Sequence, residues 1–132
     1  MKKILVLHTG GTISMHEDED GDVETGIENP LTGAQVTLPD VDLTVENIFN
    51  LPSEHIGPIH MLQLQQRILK AEGAFDGVVI THGTDTLEET SFFLDSTLDV
   101  SMPIVMTGAM RSSNELGSDG LYNYQSDRKS VV

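Results

Sequence analysis

One construction, used three times, constrains this chain more than any other feature: a short unbroken apolar run that ends in glycine and small polar residues. Ile4-Leu5-Val6-Leu7 leads into Thr9-Gly10-Gly11-Thr12. Gly77-Val78-Val79-Ile80-Thr81 leads into His82-Gly83-Thr84-Asp85-Thr86, and Pro103-Ile104-Val105-Met106-Thr107 leads into Gly108-Ala109-Met110-Arg111. A run without alternation reads as a strand covered on both faces, as in a parallel sheet with helices on either side. Glycine lets the backbone turn sharply and approach a ligand, because no Cβ stands in the way. In open α/β sheets, ligands bind just outside the carboxyl ends of the strands. In a parallel sheet the three glycine-bearing ends face the same way. The expected fold is therefore α/β: a flavodoxin/Rossmann-like parallel sheet of about four strands with helices on both faces.

At 132 residues the chain is expected to form one domain with a core large enough to fold alone. No apolar run approaches the ~18 residues of a membrane span. Lys2 and Lys3 precede an apolar run of four residues, too short for a secretory leader. With no cysteine, there is no disulfide framework or thiolate metal site, and a cytoplasmic location is the simplest expectation. The net charge is −14, from 21 acids against 7 bases. That balance lacks the basic footprint that nucleic acid or an anionic membrane surface requires. The acid excess reads as solubility.

Between Ser14 and Gly26 lies a polar, glycine-punctuated loop, with six acids at positions 17, 18, 19, 20, 22 and 24. Like charges this dense repel and disfavour a compact element. A calcium loop does not fit: with Asp18 as the first place, Gly21 falls at the fourth instead of the sixth, and Asn29 stands at the twelfth where a closing Glu is needed. Asn29 to Pro39 reads as a turn with a short helix, and Val41 to Phe49 as the second strand. Gly57-Pro58 opens a helix, since proline is accepted in a first turn. Met61, Leu64 and Ile68 with Leu62 and Leu69 form its apolar stripe, and Gly73 closes it. Thr86 and Glu89 have capping-box spacing ahead of Phe92-Phe93-Leu94, with Glu88 and Glu89 read as first-turn acids. Gly117 to Asn123 could begin a further helix, whereas Tyr124 to Val132 shows no helical stripe.

TGGTI at 9–13 together with HGTDTLEET at 82–90, and GAMR at 108–111, resembles the bacterial L-asparaginase/glutaminase family. The resemblance runs from Met1 to about Asn123, the amino-terminal part of a typical member. It implies residues 1–123 as an asparaginase amino-terminal domain and 124–132 as a divergent tail, as a truncated or frameshifted gene would leave. It implies conversion of asparagine and water to aspartate and ammonia, with glutamine a second candidate substrate, and no metal or organic cofactor. By the same resemblance Thr12 is the nucleophile that forms an acyl-enzyme and Thr84 the second catalytic threonine. Asp85 binds the substrate α-ammonium and Ser53 the α-carboxylate. Ala109 presents its carbonyl to the side-chain amide. Family members form homo-oligomers, tetramers built from close dimers.

Read without the family, these residues have plainer roles. A threonine at a strand end is ordinarily a backbone hydrogen-bonder. Asp85 would be a helix cap, Ser53 a loop residue and Arg111 the partner of a nearby acid. His8 and His82 read as buried hydrogen-bonding partners rather than bases. Three departures stand out. Glu54 occupies a place where many relatives have Gln beside the substrate carboxylate, so it is kept as a possible binding position through its backbone N–H. The family's lid supplies a tyrosine to the nucleophile, yet no Tyr precedes Tyr122 here. The lysine that activates the second threonine lies well downstream in the family, and Lys129 is too early to match it. A threonine without a base or cationic neighbour is a poor nucleophile, so the 132-residue chain alone is expected to turn over little. The alternatives are a non-catalytic amino-acid-binding fragment and the amidase subunit of a tRNA-dependent amidotransferase. A Rossmann dinucleotide site is excluded, because no third glycine follows Gly10-Gly11 at the required spacing.

Overall fold

The computed structural model describes residues 1–11, 15–17, 23–25, 39–110 and 116–130, with side chains for all of these except 15–17, 23–25 and 127–130. In chain order the elements are β1 (Lys2–His8), β2 (Met15–Glu17), β3 (Val23–Thr25), β4 (Val41–Asn47), a 3-10 turn at Ser53–His55, α1 (Pro58–Ala71), β5 (Gly77–Thr81), α2 (Leu87–Thr97), β6 (Ile104–Thr107) and α3 (Gly120–Ser130).

The three apolar runs became β1, β5 and β6, and β4 joins them in one parallel sheet of order β4-β1-β5-β6. Counting only its strands, that is the second-first-third-fourth order of flavodoxin-like folds, whose switch point lies between the first and third. Here those strands are β1 and β5. Side chains alternate across the sheet, so each apolar run feeds two cores. Leu5, Leu7, Val78 and Ile80 pack with Leu64, Ile68 and Ala71 of α1 and Leu94 of α2. Ile4, Val6 and Val79 pack on the other face with Ala109 and Tyr124 of α3. Residues 4–7 and 78–80 are fully buried, as a strand between two helical layers must be.

Five expectations need correction or refinement. The segment read as a loop too acidic to compact contains a paired antiparallel ladder, β2 against β3. Its register pairs Met15 with Thr25, His16 with Glu24 and Glu17 with Val23. β4 ends at Asn47, because the Ile48 and Phe49 N–H groups both turn to the His8 carbonyl. The α1 stripe is narrower than expected. Leu64, Ile68 and Ala71 are buried, whereas Leu62 and Leu69 are exposed. Leu62 precedes Leu64 by two positions, about 200° round the helix, and so faces away from the sheet. The Thr86–Glu89 capping box does not form: the Thr86 hydroxyl donates to the Ser53 carbonyl at 2.7 Å instead. Finally, α3 runs through Tyr124 to Ser130 without an apolar stripe, because the single Tyr124 ring anchors it, buried against the sheet. The expected turn and helix at 29–39 lie almost wholly outside the described residues. Among the described residues, no helix is long and apolar enough to cross a membrane.

The edge strand β4 is tied to α1 by a two-pronged pair: Arg67 Nε donates to Glu46 Oε2 at 2.9 Å, and Arg67 Nη2 to Oε1 at 2.6 Å. The Arg67 hydrogen bond holds the Glu46 carboxyl below its ordinary range. Both side chains keep part of their surface in water, 25% and 37%. Arg67→Ala should therefore lower stability by about 1 kcal/mol at most. Denaturant unfolding should show that difference shrinking in about 0.5 M salt, where charges are screened within a few ångströms.

Candidate active site

The strands end in a row of polar residues. The register places Asn47, His8, Thr81 and Thr107 side by side across all four strands. His8 Nδ1 and Thr81 Oγ1 are 2.7 Å apart. Thr9 donates twice to the Thr81 carbonyl, from its N–H at 3.1 Å and from its hydroxyl at 2.8 Å. Thr9 and Thr81 are buried and thus play the ordinary part of a threonine at a strand end.

Beyond that row four loops close on one another, and glycine is what lets them meet. Gly11 has φ +83°, and a Cβ there would stand 2.2 Å from Gly83 Cα. A Cβ on Gly83 would lie 2.5 Å from Ser53 Cβ and 3.1 Å from Gly11 Cα. The loops after β1 and β5 therefore touch backbone to backbone at the switch point, with the Ser53 turn against them. The loop after β6 joins from the other side, where a Cβ on Gly108 would lie 2.8 Å from the His82 carbonyl oxygen and 3.3 Å from Thr84 Cγ2. Asn123 of α3 holds that loop by donating from Nδ2 to the Gly108 carbonyl at 2.9 Å.

Ser53 is 3% exposed, and its Oγ accepts the Asp85 N–H at 3.0 Å. Accepting leaves its own proton to donate, the polarity an anionic ligand needs. Thr84 and Asp85 are exposed. Among the described residues, neither the Thr84 hydroxyl nor the Asp85 carboxylate has a partner. His82 lies beneath them, fully buried, with Nδ1 2.7 Å from the Gly83 carbonyl oxygen and Nε2 2.9 Å from Thr90 Oγ1. Burial lowers the His82 pKa below the ordinary imidazole value, opposed in smaller part by the Gly83 bond and the Glu89 charge. Burial also pushes His8 down to about 4. Both rings are therefore neutral at pH 7, as befits hydrogen-bonding partners.

Of the residues singled out from sequence, the structure brings together Ser53, Thr84 and Asp85. Glu54 is next to them but exposed. Ala109 follows Gly108 and buries its methyl in the α3-side core. Thr12 and Arg111 lie outside the described residues; Gly11, which precedes Thr12, is at the junction. Thr90, Thr81 and Asn123 hold the site together and carried no local signal, since their partners are distant in the chain or look like ordinary helix residues.

Fold and site thus define a flavodoxin-like α/β domain with its polar groups gathered at the switch point. Residues 3–127 match the family described as Asparaginase, N-terminal, and the chain belongs to that family. It is 43% identical over 126 residues to the L-asparaginase of Bacillus licheniformis, covering 92% of this chain and 39% of that protein. The thermostable L-asparaginase from Thermococcus kodakarensis superposes with a TM-score of 0.82 at 31% identity, over 98% of this chain and 40% of that one. The probable cytoplasmic L-asparaginase from Campylobacter jejuni gives 0.80 at 36% identity, over 99% and 40%. The chain therefore spans about two fifths of the length of these relatives.

Proposed function

We propose that this chain is the amino-terminal, substrate-gripping part of an L-asparaginase-type amidohydrolase, which converts L-asparagine and water to L-aspartate and ammonia. One observation carries the reading: the backbone contact of Gly11 with Gly83 beside Ser53. It supports a single site shared by the residues that follow β1 and β5. In this proposal Thr12 attacks the side-chain amide carbonyl and forms an acyl-enzyme, ammonia leaves, and water releases aspartate. Thr84 is the second catalytic threonine. Asp85 pairs with the α-ammonium, Ser53 donates to the α-carboxylate with the Glu54 backbone beside it, and the Ala109 carbonyl receives the side-chain amide. Backbone N–H groups of the glycine turns suit the oxyanion. The reading carries no metal or organic cofactor. A cytoplasmic location is proposed with it, in keeping with the Campylobacter jejuni relative, and a homo-oligomeric state from the family resemblance alone.

The chain spans 39% of the Bacillus licheniformis L-asparaginase. The base or cation that a threonine nucleophile needs is assigned by resemblance to a downstream lysine. Assayed by itself, the chain is expected to release little ammonia from asparagine. Ligand binding is therefore the direct test. L-Aspartate should bind in a calorimeter, and Asp85→Asn should weaken it by roughly tenfold or more, the scale of a hydrogen bond to a charged group. Succinate, which lacks the ammonium, should bind both proteins alike. No binding of aspartate, or equal weakening of both ligands, would overturn the assignment.

A further inference from the structure

The geometry points to His82 as a positioning residue that locks the Gly83–Thr84 peptide so that the Thr84 N–H faces the ligand. This inference rests on the amidohydrolase reading and adds to it a residue with no contact to substrate. The starting point is a conflict at Gly83. Glycine is required there, because Gly11 and Ser53 leave no room for a Cβ. Glycine is also the residue whose flanking peptides swing most freely. A site built on it needs a separate restraint.

His82 supplies that restraint. A carbonyl oxygen can only accept, so the 2.7 Å contact of Nδ1 with the Gly83 oxygen puts the ring proton on Nδ1. Nε2 is then a bare acceptor and accepts a hydrogen bond from the Thr90 hydroxyl at 2.9 Å. Thr90 is itself fully buried, and its N–H donates to the Thr86 carbonyl in the first turn of α2. The ring is thus clamped between a helix and the loop. The peptide unit is planar and trans, so the Thr84 N–H points opposite to the Gly83 carbonyl. With that carbonyl held toward the buried ring, the N–H is turned outward. Among the described residues this N–H has no partner. The Gly108 turn, packed on the His82 carbonyl, closes the remaining side. Neutral imidazole fits this task and a proton-accepting base does not, because its one lone pair is already engaged inside the protein.

Nitrogen-15 NMR of the 132-residue chain tests this without a ligand. The His82 ring should show the Nδ1–H tautomer at pH 7. His82→Ala should shift or broaden the Thr84 amide signal. His82→Asn, whose side-chain amide can reach the Gly83 carbonyl from the place of Nδ1, should restore it. L-Aspartate affinity should fall roughly tenfold in His82→Ala and about threefold in Thr90→Val, and His82→Asn should recover most of the loss. The folded fraction measured by circular dichroism separates these effects from general destabilisation. Should His82→Ala fail to fold, the tautomer, Thr90→Val and His82→Asn still decide. An Nε2–H tautomer, or a Thr84 amide and aspartate affinity unmoved in folded variants, would overturn the inference. An unmodified chain that binds no aspartate would instead overturn the amidohydrolase reading, leaving the tautomer and the amide signal to judge His82.

Discussion

Gly11→Ala should destabilise the chain by about 4 kcal/mol, while Gly73→Ala should cost only about 1 kcal/mol. The two glycines share the same backbone angle, φ +83°. An alanine pays the left-handed strain at either position. What differs is the surroundings. Nothing lies within 4 Å of a Cβ built on Gly73, whereas one on Gly11 would stand 2.2 Å from Gly83 Cα and 2.4 Å from its nitrogen. Those are backbone atoms, so no side-chain rotation relieves the clash. The loops after β1 and β5 would have to part, and the polar junction would open with them. Paired denaturant unfolding curves of the two variants read the difference directly. Equal losses would mean that the two loops do not meet. Gly83→Ala extends the test through Ser53: adding Ser53→Gly should return part of the stability lost, as expected for groups in contact.

Acidification should remove about 3 kcal/mol of stability through His8 alone. The ring is fully buried, its Nε2 has no partner among the described residues, and burial lowers its pKa from 6.5 to about 4. In the unfolded chain the imidazole keeps the ordinary value. Between those two pH values the unfolded chain binds a proton that the native chain refuses, so falling pH draws the equilibrium toward unfolding. The contribution is complete above pH 6.5, declines down to about 4 and is absent below. At about 1.4 kcal/mol per pH unit, that interval gives the figure above. His82 titrates in the same direction, and carboxylates add their own loss at the acid end. The measurement is therefore a difference. His8→Asn keeps an amide for the Thr81 hydroxyl but cannot charge, and its stability should fall by about 3 kcal/mol less than that of the unmodified chain between pH 7 and 4. Parallel curves would show that the ring is reached by water.

Much of this molecule was legible from residues alone. The runs 4–7 and 77–81 became buried central strands because an unbroken apolar segment needs cover on both faces, whereas 104–107 became an edge strand that is only partly covered. Gly57-Pro58 started α1, and the glycines Gly11, Gly83 and Gly108 after three strand ends meet where those loops converge. Spacing misjudged whatever depended on a partner. Thr86 had the residue type and position of a cap, but its hydroxyl donates to the Ser53 carbonyl instead. Leu62 and Leu69 looked like core, yet which side of α1 meets the sheet is set by the whole packing arrangement. The α3 backbone carried no stripe, and one ring, Tyr124, anchored it.

The division follows from the range of the forces involved. Strand, turn and helix onset are local, so periodicity and glycine placement settled them before any contact was known. Which loops touch is not local. Gly11 lies against Gly83, His8 bonds Thr81, and Ser53 receives Asp85. Each of those pairs is separated by 32 residues or more and exists only because β4, β1 and β5 lie next to one another in the sheet. The motifs marked the loops, and the order of the strands brought those loops into contact.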